Sequence, residues 1–378
     1  MKASFASLAA LAAAPLLFGQ AQKAPPEWNV FVGTYTRPQK SKGIYAWRFQ
    51  PSTGKLTSLG LAAETTSPSY LAVHPNQRFL YAVNEVNSGT VTSFEIDEAT
   101  GKLKPLNQVP SKGSGPCHLT TDRSGKWLYV ANYNNGSVAA FPIHDDGSLG
   151  ESTAFIQHTG SSVNPQRQRG PHAHDTVMTP DNKYVFVADL GLDQVLGYRV
   201  DANRGGMATE DPVITRLAPG SGPRHLAFRP DGRFLYVLSE ILCTVTAFRY
   251  DAARGTTEEM QTVPAIPADF TGTKSGAEIA VHRSGNYLYS SNRGHDTIAM
   301  FRIDLTSGKL SPIGHTSTRG KTPRGFGIDP TGNWLFAGNQ DSDNMSIFRI
   351  DLKTGNLSPV GDPIEVFSPV CVVFSAIK

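Results

Sequence analysis

A chain of 378 residues is longer than one ordinary hydrophobic core can organise, so it must hold either two domains or a repeat. Its 35 Lys and Arg against 32 Asp and Glu leave a net charge of +3, too near balance to recruit a polyanion or a membrane surface, and this argues against a nucleic-acid partner. Cys117, Cys243 and Cys371 are odd in number, far apart and set in apolar runs; they read as buried thiols rather than as disulfides or metal ligands.

Residues 1–21, "MKASFASLAALAAAPLLFGQA", carry one Lys, an apolar run from Phe5 to Phe18 and small residues at Gly19 and Ala21. This is the pattern of a secretory signal peptide, with too short a run to span a membrane. The expectation is export to the periplasm or beyond, a short linker at 22–28, and a folded body over 29–378. No later stretch reaches the roughly 20 apolar residues of a membrane helix, so no membrane span is expected.

From there one phrase recurs. It reads "SPSYLAVHPNQRFLYAVNE", "GPCHLTTDRSGKWLYVANY", "GPHAHDTVMTPDNKYVFVADL", "GPRHLAFRPDGRFLYVLSE", "SGAEIAVHRSGNYLYSSNR" and "TPRGFGIDPTGNWLFAGNQ". Each copy is a short apolar run, a turn and an aromatic-rich run; each is followed by a further alternating run such as "TVTAFRYD" and usually by a Gly turn. That is a four-strand meander, and period-2 patterning with β-branched and aromatic residues makes the chain all-β. "NVFVGTYT" near the start has the aromatic strand without its partner, and "SPVCVVFS" near the end has the partner without the aromatic strand. Joined, they make a seventh unit. The prediction is a seven-bladed β-propeller whose ring closes by pairing the C-terminal strand with the N-terminal blade.

Positions that only build a blade keep one residue type, so divergent columns point to a site. The residues starting the first strand of each unit are Ser69, Cys117, His174, Arg224, Ala277, Arg324 and Val370; the next column is Tyr70, His118, Asp175, His225, Glu278, Gly325 and Cys371. The residues leaving the second strand are Tyr35, Glu85, Tyr133, Leu190, Glu240, Arg293 and Gln340. Two extra residues in the copy at 170–180 add His172. In an antiparallel hairpin these columns share one end, so they are expected to meet at the mouth of the central channel.

His172 and His174 are the candidate acid/base groups, because imidazole titrates near neutrality. Arg224 and Glu240, at the two ends of one hairpin, should be neighbours. Arg293 and Arg324 could form a fork for a carboxylate or phosphate. His225, Glu85, Tyr133 and Glu278 complete the expected substrate-binding set. Glu85, Glu240 and Asp189 could ligate a cation, but several arginines at the same mouth would repel it, so no metal is expected. The column Thr34, Asn84, Asn132, Asp189, Ser239, Asn292 and Asn339 is small and polar throughout and reads as structural.

The segments "GPHAH", "GPRHLAFRPDGRFLYVLSE", "AEIAVHRSGNYLYSSNRG" and "PRGFGIDPTGNWLFAGNQ" resemble, in order and spacing, the propeller-type lactonases, which include 6-phosphogluconolactonases and 3-carboxy-cis,cis-muconate lactonizing enzymes. The resemblance runs from "FVGTYT" to "SPVCVVF". It implies catalytic roles for His172 or His174, Arg224, Glu240 and Arg293, an anionic small-molecule lactone as substrate, and no metal or organic cofactor. The expected activity is metal-independent hydrolysis of a sugar lactone, 6-phosphogluconolactone or an unphosphorylated aldonolactone, by a monomer. The alternatives are cyclisation of a carboxymuconate, or a non-enzymatic exported propeller that displays loops for binding. Export is at odds with a phosphorylated cytosolic substrate.

Overall fold

In the computed structural model, residues 27–377 are described. The expected signal peptide, and all but the last two residues of the expected linker, lie outside the described residues. The first strand, Trp28–Thr34, begins at the last residue of that linker.

Seven antiparallel sheets, each a four-strand meander, form the ring of a seven-bladed propeller; the seventh carries an extra two-residue strand, Ile364–Glu365. The closing blade, blade 1, takes its inner strand, Pro369–Ala376, from the far end of the chain, and that strand pairs with Trp28–Thr34 from Trp28↔Ala376 to Thr34↔Pro369. The two half-copies thus form one sheet, which joins the two ends of the chain and closes the ring. Among the described residues the only helical turns are two 3₁₀ turns, Ala202–Arg204 and Gln340–Ser342.

The second strands, such as Phe79–Asn84, Tyr184–Asp189 and Phe234–Ser239, are buried at every residue instead of alternating. The reason is the stacking of blades. Each sheet has a neighbour on both faces, and the core is split into seven apolar clusters, one between each pair of adjacent blades. Only outer strands such as Thr256–Pro264 meet solvent along much of their length.

The repeated tyrosine staples these interfaces. The hydroxyls of Tyr81, Tyr129, Tyr236 and Tyr289 donate to the carbonyls of Gly147, Gly206, Gly308 and Gly355 in the next blade's outer turn, at 2.8–3.2 Å. Tyr236→Phe strands the Gly308 carbonyl while leaving the ring in place. A loss of about 1–2 kcal/mol in urea unfolding is expected, and an unchanged midpoint would remove the staple from the stability of the interface.

One irregularity of the inner strands matters for function. Register slips between Pro116 and His118, Ala173 and Asp175, Pro223 and His225, Pro323 and Gly325, and across Gly276–Ile279. Each slip leaves one or two residues without a partner across the ladder, and such a β-bulge re-aims the side chain it carries. The bulged residues are Cys117, His174, Arg224, Arg324 and the pair Ala277–Glu278. A bulge repeated around a ring makes a crown of side chains at one end of the channel.

Candidate active site

A cavity of about 290 Å³ opens at that end, lined by Tyr35, Glu85, Cys117, Tyr133, Asn134, Arg167, His174, Glu240, Arg293 and Arg324. Cys117, His174 and Arg324 come from bulges, while Tyr35, Glu85, Tyr133, Glu240 and Arg293 come from the ends of second strands. Arg167 comes from the loop before strand Ala173–Met178.

Glu240 is the electrostatic hub. Its Oε2 faces Arg224 Nε at 3.0 Å and Arg293 Nη2 at 2.8 Å, and its Oε1 accepts from Arg167 Nη2 at 2.6 Å. Burial favours the neutral acid, but Arg293, Arg224 and Arg167 outweigh it and hold the carboxyl at about 2. Arg224 is 2% exposed and sits behind Glu240, donating from Nη1 to the Ala277 carbonyl and to His225 Nε2. Arg293 also donates to Ser275 Oγ and the Gly276 carbonyl; burial pulls it down to about 10, still a cation at neutral pH.

Arg324 differs from these three. It makes no hydrogen bond or ion pair with any described residue, and its guanidinium lies 5.3 Å from the centre of the Tyr35 ring. Tyr35 in turn donates to Glu85 Oε2 at 2.8 Å. Burial opposes the charge on Arg324, but Tyr35, Glu85 and Glu240 keep its pKa above the usual arginine value. It is a cation facing a cavity with its donors unengaged.

His174 is 4% exposed, its ring set edge-on to Tyr133 and to His225. Burial, with the charges of Arg224, His225 and Arg324, drives it well below 6.5, so at neutral pH it is an uncharged imidazole. Cys117 Sγ lies 3.9 Å from His174 Nδ1; burial pushes this thiol well up, which keeps it protonated and unsuited to nucleophilic attack.

His172 takes a different position. Its ring stacks on Tyr133 at 4.5 Å, Nδ1 donates to the Tyr133 carbonyl at 2.9 Å, and its backbone N–H donates to Asp189 Oδ1. It supports the cavity wall and does not line the cavity. Asp189 also accepts from His158 Nδ1 at 2.6 Å, while Asn84, Asn132, Asn292 and Asn339 bond to carbonyls of neighbouring loops.

His225 and Glu278 lie deeper. His225 Nδ1 donates to Glu278 Oε1 at 2.8 Å, and burial raises Glu278 to about 7 against the pull of Arg224 and His118. Glu278 lines a separate cavity of about 240 Å³ with Tyr70, His118 and Asp175, and His118 Nε2 lies 2.9 Å from Asp175 Oδ1. Of the sequence candidates, then, His174, Glu240, Arg293, Arg324, Glu85 and Tyr133 share the upper cavity. Arg224 and His172 back its walls, and His225 and Glu278 form a layer beneath it. Among the described residues, no group of three or more His, Cys, Asp or Glu side chains is arranged to hold a metal ion.

The family profile of "Lactonase, 7-bladed beta-propeller" matches residues 29–374. The chain belongs to this propeller lactonase family. Among its relatives is a Bacillus subtilis protein named 6-phosphogluconolactonase, 38% identical over 301 residues, spanning 79% of this chain and 84% of that protein. A candidate 6-phosphogluconolactonase from Bacteroides fragilis superposes with a TM-score of 0.87 at 38% identity, covering 94% of this chain and 99% of that one. The periplasmic gluconolactonase of Pseudomonas aeruginosa gives 0.87 at 34% identity, over 93% and 100%. Family membership fixes the fold around the cavity; the roles of its side chains rest on the geometry above.

Sequence comparison of the repeats missed two cavity residues, Arg167 and Asn134, the latter one position past the second-strand column. Arg167 lies on the connection at 158–172, which is longer than the matching connections of the other blades. The signal available was the same two-residue insertion that introduces His172, since it marks the one blade whose approach to the channel departs from the repeat.

Proposed function

We propose that this protein hydrolyses a sugar lactone in the upper cavity of the channel, without a metal ion. The observation that carries the reading is the presence in one cavity of an unpartnered guanidinium, Arg324, and an imidazole held neutral, His174. Relatives named 6-phosphogluconolactonase and gluconolactonase support a sugar lactone as the substrate. Export through residues 1–21 belongs to the same reading, supported by the likeness to a periplasmic enzyme.

Ester cleavage needs a base for water, a donor for the oxygen that becomes negative, and a proton for the departing alkoxide. His174 takes a proton from water as the water oxygen bonds to the carbonyl carbon, and Arg324 donates to the resulting oxyanion. Collapse breaks the ring C–O bond, and the imidazolium returns its proton to the alkoxide. The free acid then ionises, releasing one proton per turnover.

Glu240 is the less suited base. Three arginines hold it near 2 and engage both of its oxygens, so it accepts a proton reluctantly. His174 is engaged by no ion pair among the described residues; its lowered pKa weakens it as a base for water but makes its conjugate acid strong, which suits protonation of the alkoxide.

The test is a panel of aldonolactones followed by proton release in weak buffer with a chelator present. At least one lactone should open faster than its spontaneous rate. The base must be neutral to work, so activity is present above its folded pKa and lost as pH falls through it. With His174 well below 6.5, kcat/KM should stay level from about pH 7.5 to about pH 6 and fall only below that. An acid limb centred at or above 6.5 would assign the titrating group elsewhere.

A further inference from the structure

Arg167 differs from the other arginines around Glu240 in a way that suggests a removable contact. Arg224 and Arg293 come from blade strands, both meet Oε2, and their side chains are 2% and 16% exposed. Arg167 comes from a loop, meets Oε1 alone, and its side chain is 41% exposed. Its other partner is the Tyr133 hydroxyl at 3.2 Å. Its guanidinium therefore reaches from Tyr133 in blade 3 to Glu240 in blade 5, across the entrance beside His174 in blade 4.

The loop beneath it is built to hold this position. Gln168, next in the chain, is fully buried and donates to the Leu190 carbonyl and Asp193 Oδ1. Asp193, also buried, accepts from Ser162 Oγ and from the Gly220 and Gly222 N–H groups. The anchor is rigid while the Arg167 head is half in solvent.

Glu240 keeps two arginines on Oε2 when Oε1 is released. The contact to Arg167 can be exchanged for another anion at modest cost, because a charge-assisted, forked pair replaces a pair of the same kind. Arg324 enters from blade 7, three blades round the ring from Tyr133, so a lactone whose carbonyl meets Arg324 and His174 would send its exocyclic end toward Arg167.

Resting on the lactone reading, we propose that Arg167 is a specificity-determining residue: it leaves Glu240 to bind an exocyclic anionic group of the substrate, a phosphate or a carboxylate, and so selects charged sugar lactones over neutral ones. The experiment measures kcat and KM of wild type, Arg167→Gln and Arg167→Lys on a phosphorylated aldonolactone and on its unphosphorylated counterpart, with thermal unfolding as a folding control. Wild type should prefer the phosphorylated lactone. Arg167→Gln should reduce that preference about 10- to 100-fold, chiefly through KM, the range expected for a charged hydrogen bond. Arg167→Lys, which keeps the charge and loses the fork, should recover part of it.

A wild type with no preference, or a preference that Arg167→Gln retains, overturns the proposal, because Arg167 then only braces Glu240. If wild type opens no lactone, the lactone reading fails by itself. Calorimetric titration with inorganic phosphate then still decides the anion site: binding that Arg167→Gln weakens supports it, and equal or absent binding in the two proteins overturns it.

Discussion

Glu240→Gln is expected to lower stability by about 3 kcal/mol at neutral pH, a large fraction of what a domain has. The side chain keeps its shape, but three guanidinium groups then face one another with no anion between them. The magnitude follows from the carboxyl's displacement from 4.5 to about 2 on folding. Because the folded pKa is the lower one, the carboxylate's contribution is complete above 4.5 and disappears as pH falls through about 2. Urea unfolding at pH 7 and at about pH 3 should therefore show the gap between wild type and variant shrinking by roughly half or more. A gap that is small at pH 7, or that widens in acid, would mean that the arginines do not depend on this carboxylate. Adding Arg293→Met to the variant should recover part of the loss, since it removes one of the cations left without a partner.

Much of the fold was legible because a propeller writes the same physical problem seven times. Every inner hairpin must bury both faces against neighbours, turn tightly at the end away from the site, and present an aromatic for the interface; the copies at 67–85 and 222–240 share the Pro that opens the strand, the turn Pro and the Arg-Phe-Leu-Tyr run. Ring closure was legible for the complementary reason, that "NVFVGTYT" and "SPVCVVFS" each lack what the other has. What periodicity could not convey was two-sided burial of the second strands. Phe234–Ser239 is apolar along its length because blades pack on both sides of it.

The site was legible in its columns and not in its depth. The first column of each inner strand holds the bulged residue and feeds the upper cavity with His174 and Arg324. The second column turns the other way, so Glu278, His118 and Asp175 line a different space, and His225 separates the two. Nothing in residue type distinguishes these levels; the register slip does, and it shows only when the strands are paired. Arg167 was illegible for a further reason. Comparing repeats reveals departures at shared positions, whereas residues that lengthen one blade's connection have no shared position to depart from.

Arg324→Met is expected to lower activity while leaving stability nearly unchanged, and that separates function from architecture. A guanidinium that stabilises an oxyanion acts in the transition state more than in the bound substrate. Its loss should reduce kcat by about 10²–10³-fold with a smaller change in KM. The folded protein, in contrast, engages this cation only through the charges and the ring around it. Burial opposes its charge, Tyr35, Glu85 and Glu240 favour it, and it has no hydrogen-bonding partner among the described residues. Methionine fills similar volume without charge, so stability should change by no more than about 1 kcal/mol, the relieved desolvation being offset by the lost attraction to Glu85 and Glu240 and the lost contact with the Tyr35 ring. A structural arginine would behave otherwise, losing stability and activity together. A merely solvated one would change neither. The combination of a large fall in kcat with a nearly unchanged unfolding midpoint is the signature of a charge placed where the reaction needs it and the fold does not.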